Sequence, residues 1–187
     1  MLKVDKSSKM LIALPSLLDP NFRHSVILMV DSTSEGSMGL VINRPSDISI
    51  SSLLPDPQNQ EVPEDIPAWV GGPVGVDNGL ILHHEKENAE DQILITSSET
   101  ALKNLVKSSQ VKKNASQPLY PYRFLYGYAG WGPHQLEDEL RLGVWTETNI
   151  NTDILFNCPW QEMWERSLLS LGIKPSDLVG QPQEYLN

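Results

Sequence analysis

Short apolar runs, each ended by proline, glycine or polar residues, are the feature that most constrains the fold of this chain. Runs of this length that are rich in valine, isoleucine and leucine are typical of β-strands. The second and third runs flank a polar connection with glycines at 36 and 39, which predicts a hairpin with its turn at residues 36–39. The predicted strands cover residues 10–14, 25–30, 40–43, 69–70, 80–83, 93–96, 123–128 and 144–146.

Helical spacing and helix-boundary residues mark fewer segments. Apolar residues recur at helical intervals up to Leu171, where Gly172 can end the helix. The predicted helices cover residues 48–54, 97–108, 133–143 and 159–171. Because strands and helices do not alternate regularly, the pattern predicts the α+β class. We predict one domain over residues 1–187, with residues 55–67 as an exposed loop rich in proline and acidic residues.

The charge of the chain excludes several classes of partner. The net charge is -10 and the isoelectric point is about 4.8, so phosphate backbones and anionic membranes repel the protein. Direct DNA binding is therefore disfavoured. No apolar run approaches the roughly 20 residues that span a bilayer. Cys158 is the single cysteine, which suits a reducing compartment. We predict a cytoplasmic protein that is a monomer or a weak oligomer.

The common catalytic motifs are absent from the sequence. It contains no G-x-x-x-x-G-K-[ST], no G-x-G-x-x-G, no G-x-S-x-G and no H-E-x-x-H. A catalytic set is therefore not visible, and we favour a protein without enzymatic activity. We predict no metal and no cofactor.

Two histidine clusters are candidate chemical sites, each with a plainer interpretation. His83 and His84 precede Glu85, but neighbouring strand residues point to opposite faces, which favours a polar strand end over a metal site. His134 faces Glu137 and Asp138 if residues 133–143 are helical, and a solvated helix start is the plainer interpretation.

Glycine-rich segments are the other candidates. Glycines at 127, 130 and 132 alternate with aromatic residues, so the segment is either a surface that stacks on a ligand or partner, or a tight turn with Trp131 in the core. Gly71 and Gly72 open a segment that is either a backbone anion site or a plain turn. Cys158 is either a thiol activated at a helix start or an inert buried thiol. Ser25 follows His24 but has no evident acidic partner.

Several of these motifs occur together in one known family. The sequences Asp19-Pro20-Asn21-Phe22, Met38-Gly-Leu-Val-Ile-Asn-Arg-Pro45, Gly71-Gly-Pro73 and Gly127-Tyr-Ala-Gly-Trp131, followed by Gln135-Leu-Glu137, resemble the bacterial AlgH/YqgE family. The resemblance covers residues 10–180 and departs from the family pattern twice. Relatives typically carry a Cys-Glu-His-like run at residues 30–32, and glycine at the position of His134.

The resemblance implies a single α+β domain with a curved, bifurcated, partly barrel-like and mostly antiparallel sheet flanked by helices. One branch of the family carries the label of a transcriptional regulator, but no helix-turn-helix is visible here, so any regulatory role is expected to be indirect.

Three functional hypotheses remain open. The first is a non-enzymatic domain that binds an unidentified protein partner. The second is a protein that binds or converts a small anionic metabolite or nucleotide, with Arg44 as charge anchor and His83 as acid or base. The third is direct DNA binding. The predicted ligand or partner surface consists of Arg44, Gly71, Gly72, His83, Gly127, Gly130, Trp131 and Gln135.

Overall fold

A computed structural model describes residues 1–53, 66–87, 90–97, 100 and 122–178 of the chain. The strands are β1 (Leu2–Lys3), β2 (Lys9–Ala13), β3 (Val26–Thr33), β4 (Gly36–Val41), β5 (Pro45–Ser49), β6 (Pro67–Val70), β7 (Val74–Glu87), β8 (Glu90–Thr96), β9 (Tyr122–Trp131) and β10 (Trp145–Asn149). The helices are α1 (Ile50–Leu53), α2 (Gln135–Arg141), α3 (Trp160–Ser170) and α4 (Pro175–Leu178), and a π-helical turn spans Asp153–Asn157.

The strands form one mostly antiparallel sheet that forks at β9. Its main path runs β1-β8-β7-β9-β4-β3-β2-β10. The first half of β9 also pairs in parallel with β6, which in turn pairs with β5. Further along, β9 pairs with β4 through Ala129, Gly130 and Trp131. The α+β class agrees with the prediction from the sequence pattern, and the fork agrees with what the family resemblance implied.

Both faces of the sheet are covered. One face packs Leu28, Leu40, Leu82 and Leu125 against the π-helical turn and Met163 of α3. The other face packs Ile27, Val41 and Trp131 against Leu136 of α2, Trp145 and the half-buried Phe22. A smaller cluster lies beside α1 and β6, and it contains Ile50, Ile66, Ile81 and Tyr122. The alternation of apolar side chains along β3 and β9 supplies both of the larger clusters.

The glycine signals led to the main errors in the predicted elements. The predicted turn at residues 36–39 is instead the start of β4, and Ser34 and Glu35 form the turn. A Cβ on Gly39 would lie 2.5 Å from Ile27 Cγ2, so glycine is needed here for strand packing rather than for a turn. For a similar reason β7 begins before its glycine at 79 and β9 continues through Gly127. The strand β9 also runs past Gly130 to Trp131, although an added Cβ at 130 would have room.

The helix predictions agree with the structure to within a few residues where they can be compared. Pro133 lies in the turn before α2, and α3 ends at Ser170, just before Gly172. Most of the predicted helix over residues 97–108 and residues 55–65 of the predicted loop lie outside the described residues. Ile66, which was assigned to that loop, is buried, and Pro67 begins β6. No helix in the described ranges is long and apolar enough to span a bilayer.

Candidate functional site

The residues of the predicted ligand or partner surface lie in several separate places. Three of them, Gly71, Gly72 and Gly127, lie at the fork of the sheet. A Cβ on Gly71 would lie 2.3 Å from the carbonyl oxygen of Gly127, and one on Gly127 would lie 2.2 Å from that of Gly72. The Gly71 N–H donates to Tyr126 O, and Gly71 O accepts from the Val41 N–H. These glycines allow two backbones to touch, and the Gly71 amide is already used within the fold.

Arg44 ties a loop to the sheet. Its Nη1 donates to Pro20 O and its Nη2 to Arg23 O, each at 2.9 Å. The neighbouring Asn43 accepts from the Val26 N–H and donates to His24 O. The two residues Asn43 and Arg44, which follow β4, therefore hold the loop that leads into β3. Because its two terminal nitrogens are bonded to carbonyl oxygens, the guanidinium of Arg44 holds the loop rather than facing an open ligand site.

His83 is buried, with 3% of its surface exposed, on the face of β7 that carries Ile81 and opposite Tyr122 of β9. Its Nδ1 lies 3.5 Å from Glu85 Oε1, and burial lowers the pKa of the imidazole although Glu85 acts in the opposite direction. The sequence favoured a polar strand end for this cluster, but His83 is buried rather than exposed at the end of a strand. A buried neutral imidazole is not placed to exchange protons with a ligand at the surface.

Trp131 and Gln135 belong to a polar-aromatic cluster around Glu139, a residue that the sequence analysis missed. Glu139 Oε2 accepts from Trp131 Nε1 at 2.9 Å and from Trp145 Nε1 at 2.7 Å, while Oε1 accepts from Gln135 Nε2. The rings of Phe22, Trp131 and Trp145 pack on one another, with ring centroids 5.9 to 6.4 Å apart. This arrangement docks α2 on the sheet and follows the core interpretation of Trp131.

The remaining candidates follow their plainer interpretations. His134 is exposed, stands before α2 with a φ of 62° and makes no side-chain capping bond. Cys158 is buried, and burial raises the pKa of its thiol, which leaves the thiol unreactive. The imidazole ring of His24 packs on Trp164 at 4.3 Å. Ser25 is fully buried.

An open groove lies at the far end of the sheet, past the tips of β3 and β4. Its volume is about 440 Å³, and it is lined by Asp31, Thr33, Glu35, Gly36, Ser37, Met38, Val74, Tyr128, Gly130 and Trp131. We name it the Asp31 groove. It contains two of the predicted surface residues, Gly130 and Trp131, and it joins strands β3, β4, β7 and β9.

A β-bulge aims Asp31 into this groove. Met29 pairs with Gly39 of β4, but Asp31 pairs with Met38, so Val30 is an extra residue in β3. Residues directly opposite each other share a face, and Met38 in turn pairs with Gly130 of β9. The bulge therefore moves Asp31 onto the face of Met38 and Gly130; without it, Asp31 would share the face of Met29.

The groove combines free carboxylates with an apolar floor. The side chains of Asp31 and Glu35 are exposed and make no hydrogen bond or ion pair with any residue that the structure describes. Met38, Val74 and Tyr128 supply apolar surface, and no lysine or arginine is among the lining residues. This chemistry suits a cation that carries an apolar stem, and it does not suit an anion.

Asp31 belongs to no catalytic motif in the sequence, and its only distinction there is its place in residues 30–32, where the chain departs from the family pattern. That departure was the one feature of the sequence that could have pointed to Asp31. The bulge itself has no sequence signature, since Val30 continues the apolar run of β3. Asp31 also lines a second cavity of about 370 Å³ beside Lys9 and Glu147. Within the described part of the chain, no three His, Cys, Asp or Glu side chains group closely enough to hold a metal.

Comparison with known sequences identifies relatives along most of the chain. A family model described as AlgH-like (DUF179) matches residues 10–176. A protein of Nitrosococcus oceani named UPF0301 is 33% identical over 180 residues, covering 91% of this chain and 92% of its own. A UPF0301 protein of Vibrio atlanticus is 35% identical over 181 residues, covering 90% and 92%.

Comparison with solved structures agrees. The solution structure of the AlgH protein from Pseudomonas aeruginosa matches with a TM-score of 0.68 and 29% identity, covering 98% of this chain and 100% of that one. A crystal structure of a Corynebacterium diphtheriae protein matches with a TM-score of 0.66 at 17% identity, which supports the fold alone. These matches confirm the resemblance and the curled, half-barrel form of the sheet, and the chain belongs to the AlgH-like family.

Proposed function

We propose that this chain is a non-enzymatic interaction domain whose Asp31 groove docks a basic segment of a protein partner in the cytoplasm. The observation that carries the proposal is the pairing of free carboxylates on Asp31 and Glu35 with an apolar floor that has no basic residue. A lysine or arginine side chain matches such a surface, because its stem lies on apolar groups while its charge meets the carboxylates.

The overall charge supports the same partner. A net charge of -10 attracts basic chains from a distance and speeds their encounter with the groove. The same field opposes nucleotides and duplex DNA. Any regulatory effect of the protein would then pass through the partner rather than through contact with DNA.

The anionic-ligand hypothesis has less support. Its proposed anchor is Arg44, which donates hydrogen bonds from both terminal nitrogens to loop carbonyls. Its proposed acid or base is His83, which is buried away from the groove. The groove itself is lined by acidic rather than basic residues. An anion bound there would be desolvated beside like charges, which is unfavourable.

The test is a titration of the isotopically labelled protein with two flexible Gly/Ser peptides, observed by NMR. One peptide carries several lysines, and its twin carries glutamine at the same positions. We expect the lysine peptide alone to shift the amide signals of Asp31, Met38 and Gly130. Asp31→Asn is expected to weaken binding, because it removes a carboxylate that the fold does not use.

Glu165→Gln is the matched control, since it removes the same charge from an exposed position on α3 outside the groove. Equal weakening by Asp31→Asn and Glu165→Gln would mean that the peptide senses only the net charge, and it would contradict the proposal. Equal shifts from the lysine and glutamine peptides would contradict it as well.

A further inference from the structure

We infer that the Asp31 groove is specific for arginine, so that the docked segment presents a guanidinium rather than an ammonium. This inference rests on the proposed function, since it names the side chain that the groove takes. Its physical basis is the order of three residues across adjacent strands: Asp31 on β3, Met38 on β4 and Gly130 on β9. They form one row on one face of the sheet.

The row has a charged end and an aromatic end. Adjacent strands lie about 4.8 Å apart, so Asp31 and Gly130 stand roughly 10 Å apart across Met38. Tyr128 lies two residues before Gly130 on the same face, and its Cε2 would lie 3.5 Å from a Cβ at position 130. The ring of Tyr128 therefore leans beside Gly130, and the missing side chain leaves that part of the ring open to the groove.

A guanidinium satisfies both ends at once. It is planar, it stacks on aromatic rings and on soft groups such as the Met38 thioether, and its donors can engage one carboxylate in pairs. An ammonium is compact and strongly hydrated, and it gains less from the ring. Val74 pairs with Tyr128 from β7 and bounds the far side, where the aliphatic stem of the arginine would lie.

Gly130 is the residue that sets this specificity. Its φ lies outside the left-handed region, and no atom would lie closer than 3.5 Å to an added Cβ. The fold therefore does not need glycine at this position, in contrast to Gly127 in the same strand. A leucine at 130 would cover the Tyr128 ring and fill the floor of the groove without a backbone clash.

The test measures fluorescence anisotropy with three labelled Gly/Ser peptides that carry arginine, lysine or glutamine at the same positions. The proteins are the natural chain, Gly130→Leu, Asp31→Asn and the control Glu165→Gln. We expect the natural chain to bind the arginine peptide roughly two- to fivefold more tightly than the lysine peptide, the range that an exposed cation–π contact supplies. Gly130→Leu is expected to remove that preference, and Asp31→Asn to weaken both basic peptides.

Each outcome separates the inference from the proposed function. Equal binding of the arginine and lysine peptides, both above the glutamine peptide, would overturn the arginine inference and leave the proposed function standing. An arginine preference that survives in Gly130→Leu would also overturn it, because the preference would then arise elsewhere. Basic peptides that bind no better than the glutamine peptide would overturn the proposed function itself. If Gly130→Leu does not fold, the comparison of the arginine and lysine peptides on the natural chain retains the test, since equal binding there still overturns the arginine inference.

Discussion

His134 adopts the left-handed backbone conformation, with a φ of 62°, at the start of α2. This region costs a residue with a Cβ roughly 1–2 kcal/mol, whereas glycine enters it freely. The side chain is exposed and makes no capping bond that would offset the strain. The glycine expected here from the family resemblance is therefore explained by the backbone conformation alone. The difference between glycine and His134 does not indicate a catalytic role at this position.

His134→Gly is expected to raise the free energy of unfolding by about 0.5–1 kcal/mol, which is the relieved strain less the added entropy of the unfolded chain. Denaturant titration measures this change. Glu137→Gly, in the first turn of the same helix, is the control and is expected to lower stability by roughly 0.5–1 kcal/mol. A loss of stability in His134→Gly would mean that the imidazole makes a favourable contact.

His83 makes the stability of the fold depend on pH. Burial lowers the pKa of its imidazole below the ordinary value of 6.5, so the unfolded chain binds the proton more readily than the folded one. This contribution to stability is present above pH 6.5 and is lost as the pH falls through the lower pKa of the folded state. His83→Leu should therefore flatten the dependence of stability on pH between about 7.5 and 5.

Urea titrations of the natural chain and His83→Leu across that range provide the measurement. Partial desolvation against Trp164, together with the nearby cations Arg23 and Arg44, also lowers the pKa of His24, so His24→Gln should remove a further part of the slope. An unchanged slope in both variants would mean that other groups dominate acid unfolding.

At the scale of elements, β9 organises the sheet because its two halves serve different partners. Its first half pairs with β6 and its second half with β4, and Gly127 stands between them with a φ of 71°. The close approach of Gly127 and Gly72 allows β6 to leave the sheet at this point. The fork therefore depends on glycine at particular positions rather than on apolar periodicity.

Gly127→Ala and Gly130→Ala form a matched pair within β9. At position 127 the methyl group would meet Gly72 O at 2.2 Å in a left-handed conformation, so we expect a loss of at least about 2 kcal/mol. At position 130 nothing lies closer than 3.5 Å, so we expect stability within about 0.5 kcal/mol of the natural chain. Thermal and urea unfolding compare the two, and equal losses would contradict the assigned roles.

The same contrast explains what sequence could predict. Strands such as β2 and β3 follow from local apolar runs, and the family motifs indicated the forked sheet. The function of each glycine depends on what lies opposite it: Gly39 and Gly127 allow close packing, while Gly130 opens a groove. Arg44 and Asp31 follow the same rule, because carbonyl partners and a bulge are tertiary features that spacing along the chain does not encode.

At the scale of the molecule, the net charge of -10 acts on stability and on binding with opposite sign. Like charges repel one another within the compact state, and they attract a basic segment toward the groove. Salt shortens the reach of both effects, since the Debye length falls from about 30 Å at 0.01 M to about 8 Å at 0.15 M.

Sodium chloride should therefore raise the thermal midpoint of the natural chain while it weakens binding of the arginine peptide over the same range. Differential scanning fluorimetry and anisotropy measure the two effects in matched buffers. Asp31→Asn should leave the salt-induced rise in the midpoint nearly intact, because one charge contributes little to the total field. It should nevertheless reduce the salt dependence of peptide binding, because that carboxylate lies in the groove itself. A midpoint that falls with salt would mean that attractive ion pairs, rather than self-repulsion, dominate the electrostatics of the fold.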